Sequence, residues 1–382
     1  MLPEKARCTG CGACAAACPQ NCIAMTADAE GFRYPQIDAD RCISCGMCEA
    51  VCPADHAPAV SQETSVLAAQ NRDEAVRGQS SSGGVFTALA RQVLSEDGLV
   101  CAAVYDEAHR VTHVVTGRPE ELGRMRGAKY AQSAAEPCFP ELRDALKKGR
   151  SVLFVGTPCQ TAGLDRFLGR KYESLLLVDM ICHGVPSPLV WEKYLAERRR
   201  TDAAGAAVRD IDLRNKETGW SRYAYSVKIG YEDGSQYRMH QAQDPFLRGF
   251  VQNLYLRPSC AQCGFKGIGR CSDLTLGDGW GIWDIAPEFD DDKGTSLVLI
   301  HTEAGRRAWD AVAPGFRTYP LTAEQAAAQN PSALRSSPAH PERERFFASL
   351  EAGAPVTETI RQCLDPPEKR GLLQRIRGKL GF

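Results

Sequence analysis

Between residues 8 and 53 the chain carries the same cysteine run twice. Cys8, Cys11, Cys14 and Cys18 are followed by Pro19, and Cys42, Cys45, Cys48 and Cys52 by Pro53, each with the spacing C-x2-C-x2-C-x3-C-P. This is the bacterial ferredoxin run, in which three close thiolates wrap one corner of a cubane and the fourth ligates the other cluster. One site is therefore expected to use Cys8, Cys11, Cys14 and Cys52, and the second Cys42, Cys45, Cys48 and Cys18. The fourth cysteine of each run is expected at the start of a short helix, with the proline turning the chain away. Gly10, Gly12 and Gly46 permit loop angles closed to other residues. Structural zinc is the competing reading of clustered cysteines, but the doubled motif with both prolines is specific to clusters. Cys22, just beyond the first run in "CPQNCI", is given no ligand role and is expected to pack as a spare thiol.

The remaining bulk properties narrow the setting. Seventeen cysteines in 382 residues are an odd number in a chain too long for a small disulfide-stapled domain. At tight spacing in a reducing compartment they read as metal or cluster ligands. The length suggests two or three domains. A formal net charge of -1 gives no electrostatic ground for a nucleic-acid partner. No run of about 18 or more apolar residues occurs, so no membrane span is expected. The start, "MLPEKARCTGCG", lacks an apolar signal segment, so a cytoplasmic protein is expected.

Residues 57–78 read as a linker. "GQSSSGGVFTALARQVLSEDG" then places small residues, Ser80 to Gly84, before Val85, Phe86, Leu89, Val93 and Leu94 at helical spacing. Such a loop at a helix N-terminus suits an anion; the alternative is a plain N-cap by Ser81 or Ser82. Further on, apolar strands alternate with turns and helices: "GLVCAAVY", "SVLFVGTPCQTAGLDRFLG" and "SLLLVDMICHGVPSPLVWEKYLAERRR". This alternation indicates α/β architecture, followed by a hairpin in "YAYSVKIGYEDGSQYRMH". Cys159 and Cys182 fall in turns at the carboxyl ends of strands, where open α/β sheets place ligands. Far downstream, "RPSCAQCGFKGIGRC" supplies Cys260, Cys263 and Cys271. Two four-ligand sets are open: Cys159, Cys182, Cys260 and Cys263, or Cys260, Cys263 and Cys271 with one of the first two. No G-x-G-x-x-G follows a strand, so no nicotinamide site is evident.

"SSSGGVF", "GAKYAQS", "GTPCQ", "ICHGVPSP", "SCAQCGFKG", "SDLTLGDGWGI" and "KGTSLVLIHTEAG" occur in this order. Together, over roughly residues 75–315, they resemble the beta subunits of coenzyme F420 hydrogenases and dehydrogenases. They also resemble the 7-hydroxymethyl chlorophyll a reductases of that superfamily. The resemblance implies an α/β (α+β) flavoprotein body behind an N-terminal bacterial ferredoxin-like domain with two 4Fe–4S clusters. It implies FAD, a third 4Fe–4S cluster and the first ligand set, because the family position matching Cys271 usually holds another residue. Ser81, Ser82, Gly83 and Gly84 are then expected to approach FAD. Lys129 is expected near the flavin, where a cation favours the anionic reduced ring; a solvated lysine is the alternative. His183 is a candidate proton donor or a structural histidine, and Asp278 a site residue or a turn former.

The expected domains are 1–56 (ferredoxin type), 57–78 (linker), 79–200 and 201–350 (the two parts of the body) and 351–382 (tail). The expected function is electron passage between the ferredoxin clusters and FAD, with hydride exchange to a small organic acceptor such as coenzyme F420. The alternative is an electron-transfer subunit with no substrate of its own. Partners are then an electron-carrying protein, either a ferredoxin or a hydrogenase or dehydrogenase subunit, and a small hydride acceptor. The tail, "PPEKRGLLQRIRGKLGF", reads as a basic amphipathic segment suited to peripheral docking or as a frayed end.

Overall fold

The structure is a computed structural model that describes residues 2–365. The tail segment 366–382 lies outside the described residues. Among the described residues there are three sheets. A small hairpin pairs β1 (Ile23–Ala27) with β2 (Arg33–Ile37). The central sheet has eight strands: β3 (Ser65–Asn71), β4 (Leu99–Tyr105), β5 (Val111–Thr116), β6 (Val152–Val155), β7 (Leu175–Met180), β11 (Leu274–Asp278), β12 (Ser296–Ile300) and β13 (Phe316–Leu321). Their order is β13-β3-β12-β11-β7-β6-β4-β5. A third, antiparallel sheet joins β8 (Val208–Asn215), β9 (Ser226–Tyr231) and β10 (Gln236–His240).

Only the middle of the large sheet is parallel: β4 with β6, β6 with β7 and β7 with β11. These are the near-continuous apolar runs, with Val152, Leu153, Phe154, Leu177 and Val178 all buried, as strands covered on both faces require. The connections leaving β6 and β7 each pass a cysteine, Cys159 and Cys182, and enter a helix with a strong start signal. Thr157 and Gln160 form a reciprocal capping box, with Pro158 in the first turn of the helix Pro158–Leu168. Ser187 caps the helix Pro188–Asp202, accepting from the Val190 amide.

Two expectations fail here. Residues 57–78 are not simply a linker: β3 runs between β12 and β13 in the large sheet, and a short helix, Glu74–Gly78, follows it. Its run "SVLAAQN" is small rather than polar, and Val66, Ala68, Ala69 and Gln70 are buried. Alanine suits a strand so closely covered, although composition alone reads it as loop. Nor does the fourth cysteine of either run begin a helix. The short helices Ala13–Ala16 and Met47–Ala50 contain the third cysteines, Cys14 and Cys48, and end before Cys18 and Cys52. Gly12 and Gly46, both left-handed, start them, so the turn comes earlier than the proline signal suggests.

The ferredoxin-type segment packs into the body. Cys11, Ala13 and Val51 share a core with Leu99, Phe139, Phe154 and Leu164. Arg33 pairs with the buried Glu136 at 2.6 Å, and Arg343 pairs with Glu30.

Candidate functional site

Cys8, Cys11, Cys14 and Cys52 wall one cavity with Thr9, Gly10 and Gly12. Burial pushes the Cys14 thiol up to about 12, with Cys8 and Cys52 among the neighbours that add to the rise. The second group is more open. Cys45 is exposed, and Cys18, Cys42 and Cys48 are half-buried. Cys22 lies with this group: its sulfur is 3.3 Å from that of Cys18, and its amide donates to the Cys18 sulfur at 3.4 Å.

Cys159, Cys182, Cys260 and Cys263 wall another cavity, with Thr9, His183, Arg257, Lys266 and Arg270. Cys159 stands in the first turn of its helix, where the dipole favours a thiolate. Burial pushes its thiol up to about 12, and Cys263 and Cys260 add to this. Cys182 and Cys260 move the same way for the same first reason. Thiols so buried remain protonated unless a cationic centre holds them as thiolates. Among the described residues the buried Arg270 has no hydrogen-bond partner for Nε or Nη1, while Nη2 donates to the Ala333 carbonyl at 3.3 Å and the buried Asp179 feels its charge; an anionic group in the cavity would satisfy the two open nitrogens. The donor set and the two unpartnered guanidinium nitrogens thus both fit a thiolate-bound cluster, whose net charge is negative. Among the described residues no three Cys, His, Asp or Glu side chains converge on an ion-sized point; thiolates around a cubane stand further apart than those around one ion. Cys271 stands elsewhere: its thiol is pushed up to about 12 by burial first, then by Asp179 and Asp165.

Thr9 belongs to the walls of both cavities. Gly163, in the helix that carries Cys159, faces Cys11 so closely that a Cβ there would come within 3.0 Å of the Cys11 sulfur. The two cysteine groups are therefore neighbours in space, although about 150 to 250 residues separate most of their members.

The small-residue loop is tied down tightly. The Ser81 carbonyl accepts from Trp220 Nε1 at 3.0 Å, and the Ser82 carbonyl from Lys216 Nζ at 2.6 Å. Ser82 Oγ donates to Asp278, which is held by both terminal nitrogens of Arg214 at 3.0 Å. The Gly83 amide donates to Ser296 Oγ at 2.9 Å. Neither serine caps the helix. Its N-cap is Gly84, left-handed at φ 86, with no side-chain cap. The first-turn amides of Val85–Ser95 thus lack a side-chain acceptor, and Arg126 reaches that turn by donating to Thr87 Oγ1 at 3.1 Å. An uncapped helix start beside a guanidinium fits the phosphates of a dinucleotide.

Lys129 and His183 are both engaged by protein. Lys129 Nζ donates to the carbonyls of Arg126 at 2.8 Å, Gly127 at 3.2 Å and Met125 at 3.4 Å, and burial pushes its ammonium down to about 7. His183 meets Asn253 Oδ1 through Nε2 at 2.7 Å and Ser332 Oγ through Nδ1 at 3.2 Å. Burial lowers its pKa and so favours the neutral ring, in which Nε2 donates to the Asn253 oxygen and Nδ1 accepts from the Ser332 hydroxyl. Asp278 is no simple turn former but an ion-pair partner of Arg214.

Sequence reading missed Arg126, Arg214, Arg257 and Arg270, because a single arginine carries no spacing signal. It also missed an aromatic stack beside the loop. Trp220 and Trp280 lie 4.6 Å apart, with Tyr223 at 4.7 Å from Trp280 and Arg214 over the Trp280 ring at 4.8 Å. The motif "GWGIW" was the available sign.

Three family models match the chain. "4Fe-4S dicluster domain" matches residues 7–56. The other two describe the "Coenzyme F420 hydrogenase/dehydrogenase, beta subunit": its N-terminal model matches residues 66–137, and its C-terminal model matches residues 149–318. No curated protein matches. Among solved structures, a chain of the F420-reducing NiFe hydrogenase complex from Methanosarcina barkeri is 20% identical. That match covers 70% of this chain and 89% of the other, with a TM-score of 0.46.

Proposed function

The chain belongs to the coenzyme F420 hydrogenase/dehydrogenase beta-subunit family and carries a 4Fe–4S dicluster domain, and we propose that it is an iron–sulfur flavoprotein oxidoreductase. It passes electrons between its clusters and FAD and exchanges a hydride with a small organic acceptor such as coenzyme F420. The observation that carries this reading is the shared Thr9 wall, which sets the first ferredoxin-type cysteine group against the four-cysteine cavity. Cys8, Cys11, Cys14 and Cys52 would hold one cluster, Cys42, Cys45, Cys48 and Cys18 the second, and Cys159, Cys182, Cys260 and Cys263 the third. Ser81, Ser82, Gly83 and Gly84 with the uncapped helix start would hold FAD. Bound there, the clusters supply one-electron steps, and the flavin joins two of these to a hydride.

The chain's own residues bind and position. Lys266 Nζ donates to the Cys182 carbonyl at 2.6 Å and fixes that turn. His183, with both nitrogens engaged, holds the same turn against Asn253, which supports a positioning role over proton donation. Lys129, bound to three carbonyls, closes the end of its own turn. The test is anaerobic purification, FAD quantification and an F420 assay with chemically reduced protein. Stoichiometric FAD and F420 reduction are expected. Protein that neither retains nor takes up FAD is not a flavoprotein.

One observation favours a second reading, an electron-transfer subunit that docks on a larger hydrogenase or dehydrogenase. Ile37, Ile43 and Met47 are exposed at 44%, 60% and 46% in the segment that carries Cys42, Cys45 and Cys48. Exposed large apolar side chains suit a protein contact, and small contacts serve redox encounters. Ile43→Glu is expected to keep all iron and to slow electron uptake from reduced ferredoxin about tenfold, a loss of roughly 1.4 kcal/mol of binding. An unchanged rate would move the entry point elsewhere. The purified chain alone should turn over F420 with reduced ferredoxin under the first reading, and only with its partner subunit under the second.

A further inference from the structure

Arg257 is 1% exposed. Its Nε donates to the Cys8 carbonyl at 2.8 Å and its Nη1 to Gln132 Oε1 at 3.2 Å, and its Nη2 faces the Cys8 sulfur at 3.6 Å. None of these acceptors is a carboxylate. The guanidinium lies 4.1 Å over the Tyr34 ring, a face that attracts a cation only modestly. On its other side Arg257 walls the cavity of Cys159, Cys182, Cys260 and Cys263. Room for it is kept by Gly10, at φ +70, where a Cβ would stand 2.8 Å from Nη1.

A cation buried this fully needs compensating negative charge. Two groups of cysteines supply it, one on each side. A 4Fe–4S core held by four thiolates is a net anion, and its reduction adds one more negative charge. A fixed cation beside it favours that reduction, and neighbouring charge is among the terms that set cluster potentials.

We propose that Arg257 is a positioning residue shared by two clusters, compensating the charge at Cys8 and at the four-cysteine cavity together and raising the reduction potential of both. The proposal rests on the reading that both groups hold clusters. When an electron passes between the two sites, one is oxidised by one electron and the other reduced by one, with no bond or proton exchanged. Because Arg257 faces both sites, it moves both potentials in the same direction. The driving force between the two sites therefore changes less than either potential.

The test is a redox titration followed by electron paramagnetic resonance, on anaerobic protein whose iron has been counted. In Arg257→Met, the equilibrium constants for reducing the first and third clusters are each expected to fall at least tenfold, about 59 mV for a one-electron couple. The exposed second cluster should stay where it was. Arg257→Lys, which keeps the charge and loses the planar fork, should stay close to the wild type. A merely structural fork predicts that Lys behaves like Met, and that result overturns the proposal, as does a shift confined to one cluster or absent from both. If Arg257→Met assembles no clusters, the cluster-free proteins decide. Without compensating anions the arginine is a cost, so apo Arg257→Met should melt above apo wild type, and melting below it overturns the proposal. Wild-type protein that never binds a third cluster shows up in the iron count and refutes the underlying reading instead.

Discussion

Cys260→Ser is expected to lose one cluster of three, lowering bound iron from about 12 to about 8 atoms per chain by the four-iron stoichiometry of a cubane. Cys271→Ser is expected to keep all of it. The two cysteines lie close in sequence but in different surroundings. Cys260 shares a cavity wall with Cys159, Cys182 and Cys263, whereas Cys271 sits among Asp165, Lys171 and Asp179. Serine replaces a soft thiolate by a hard, poorly ionised hydroxyl, so a cluster held by three thiolates is lost or becomes labile. Iron and sulfide analysis after anaerobic reconstitution, with the visible spectrum, reads the result. Full iron in Cys260→Ser, or a deficit in Cys271→Ser, would replace the ligand set. Electron passage to the flavin should fail in Cys260→Ser while the two N-terminal clusters remain reducible.

Gly83→Val is expected to empty the flavin site and to destabilise the protein at once. A Cβ at Gly83 would lie 2.1 Å from the Ala69 carbonyl oxygen and 2.5 Å from the Ser296 amide nitrogen. Both are backbone atoms of β3 and β12, where Ala69 and Ser296 pair, so the loop cannot yield without parting these two strands, and overpacking of this kind costs about 1–3 kcal/mol or more. Flavin loss in that variant therefore does not separate cofactor contact from packing. Arg126→Met does, because Arg126 holds the helix start through the Thr87 side chain and the preceding turn through Gln79, not through backbone packing. It is expected to weaken FAD binding about tenfold, roughly 1.4 kcal/mol, with melting temperature and iron content unchanged. Unaltered FAD affinity in Arg126→Met would take the phosphates away from this helix.

The ferredoxin-type domain was legible from residues 8–53 because its ligands are close in the chain. A cubane bound by a short loop dictates the cysteine intervals and the left-handed glycines, so local spacing carries the whole instruction. The parallel centre of the large sheet was legible for a similar reason: buried strands must be apolar throughout, and the capping residues in "GTPCQ" and "VPSP" mark where each helix begins. Spacing could not say which distant cysteines lie together; strand order does. β6 and β7 are hydrogen-bonded neighbours, which brings Cys159 beside Cys182 at their carboxyl ends. The chain returns Cys260 and Cys263 to the same place and leaves Cys271 outside it. β3 was read as linker because its burial comes from its two partner strands and not from its own hydrophobicity. Arg257 was invisible for the deepest reason: a lone arginine is an ordinary surface residue by composition. Only the tertiary structure, by folding residue 8 onto residue 257 and closing both off from water, makes its charge matter.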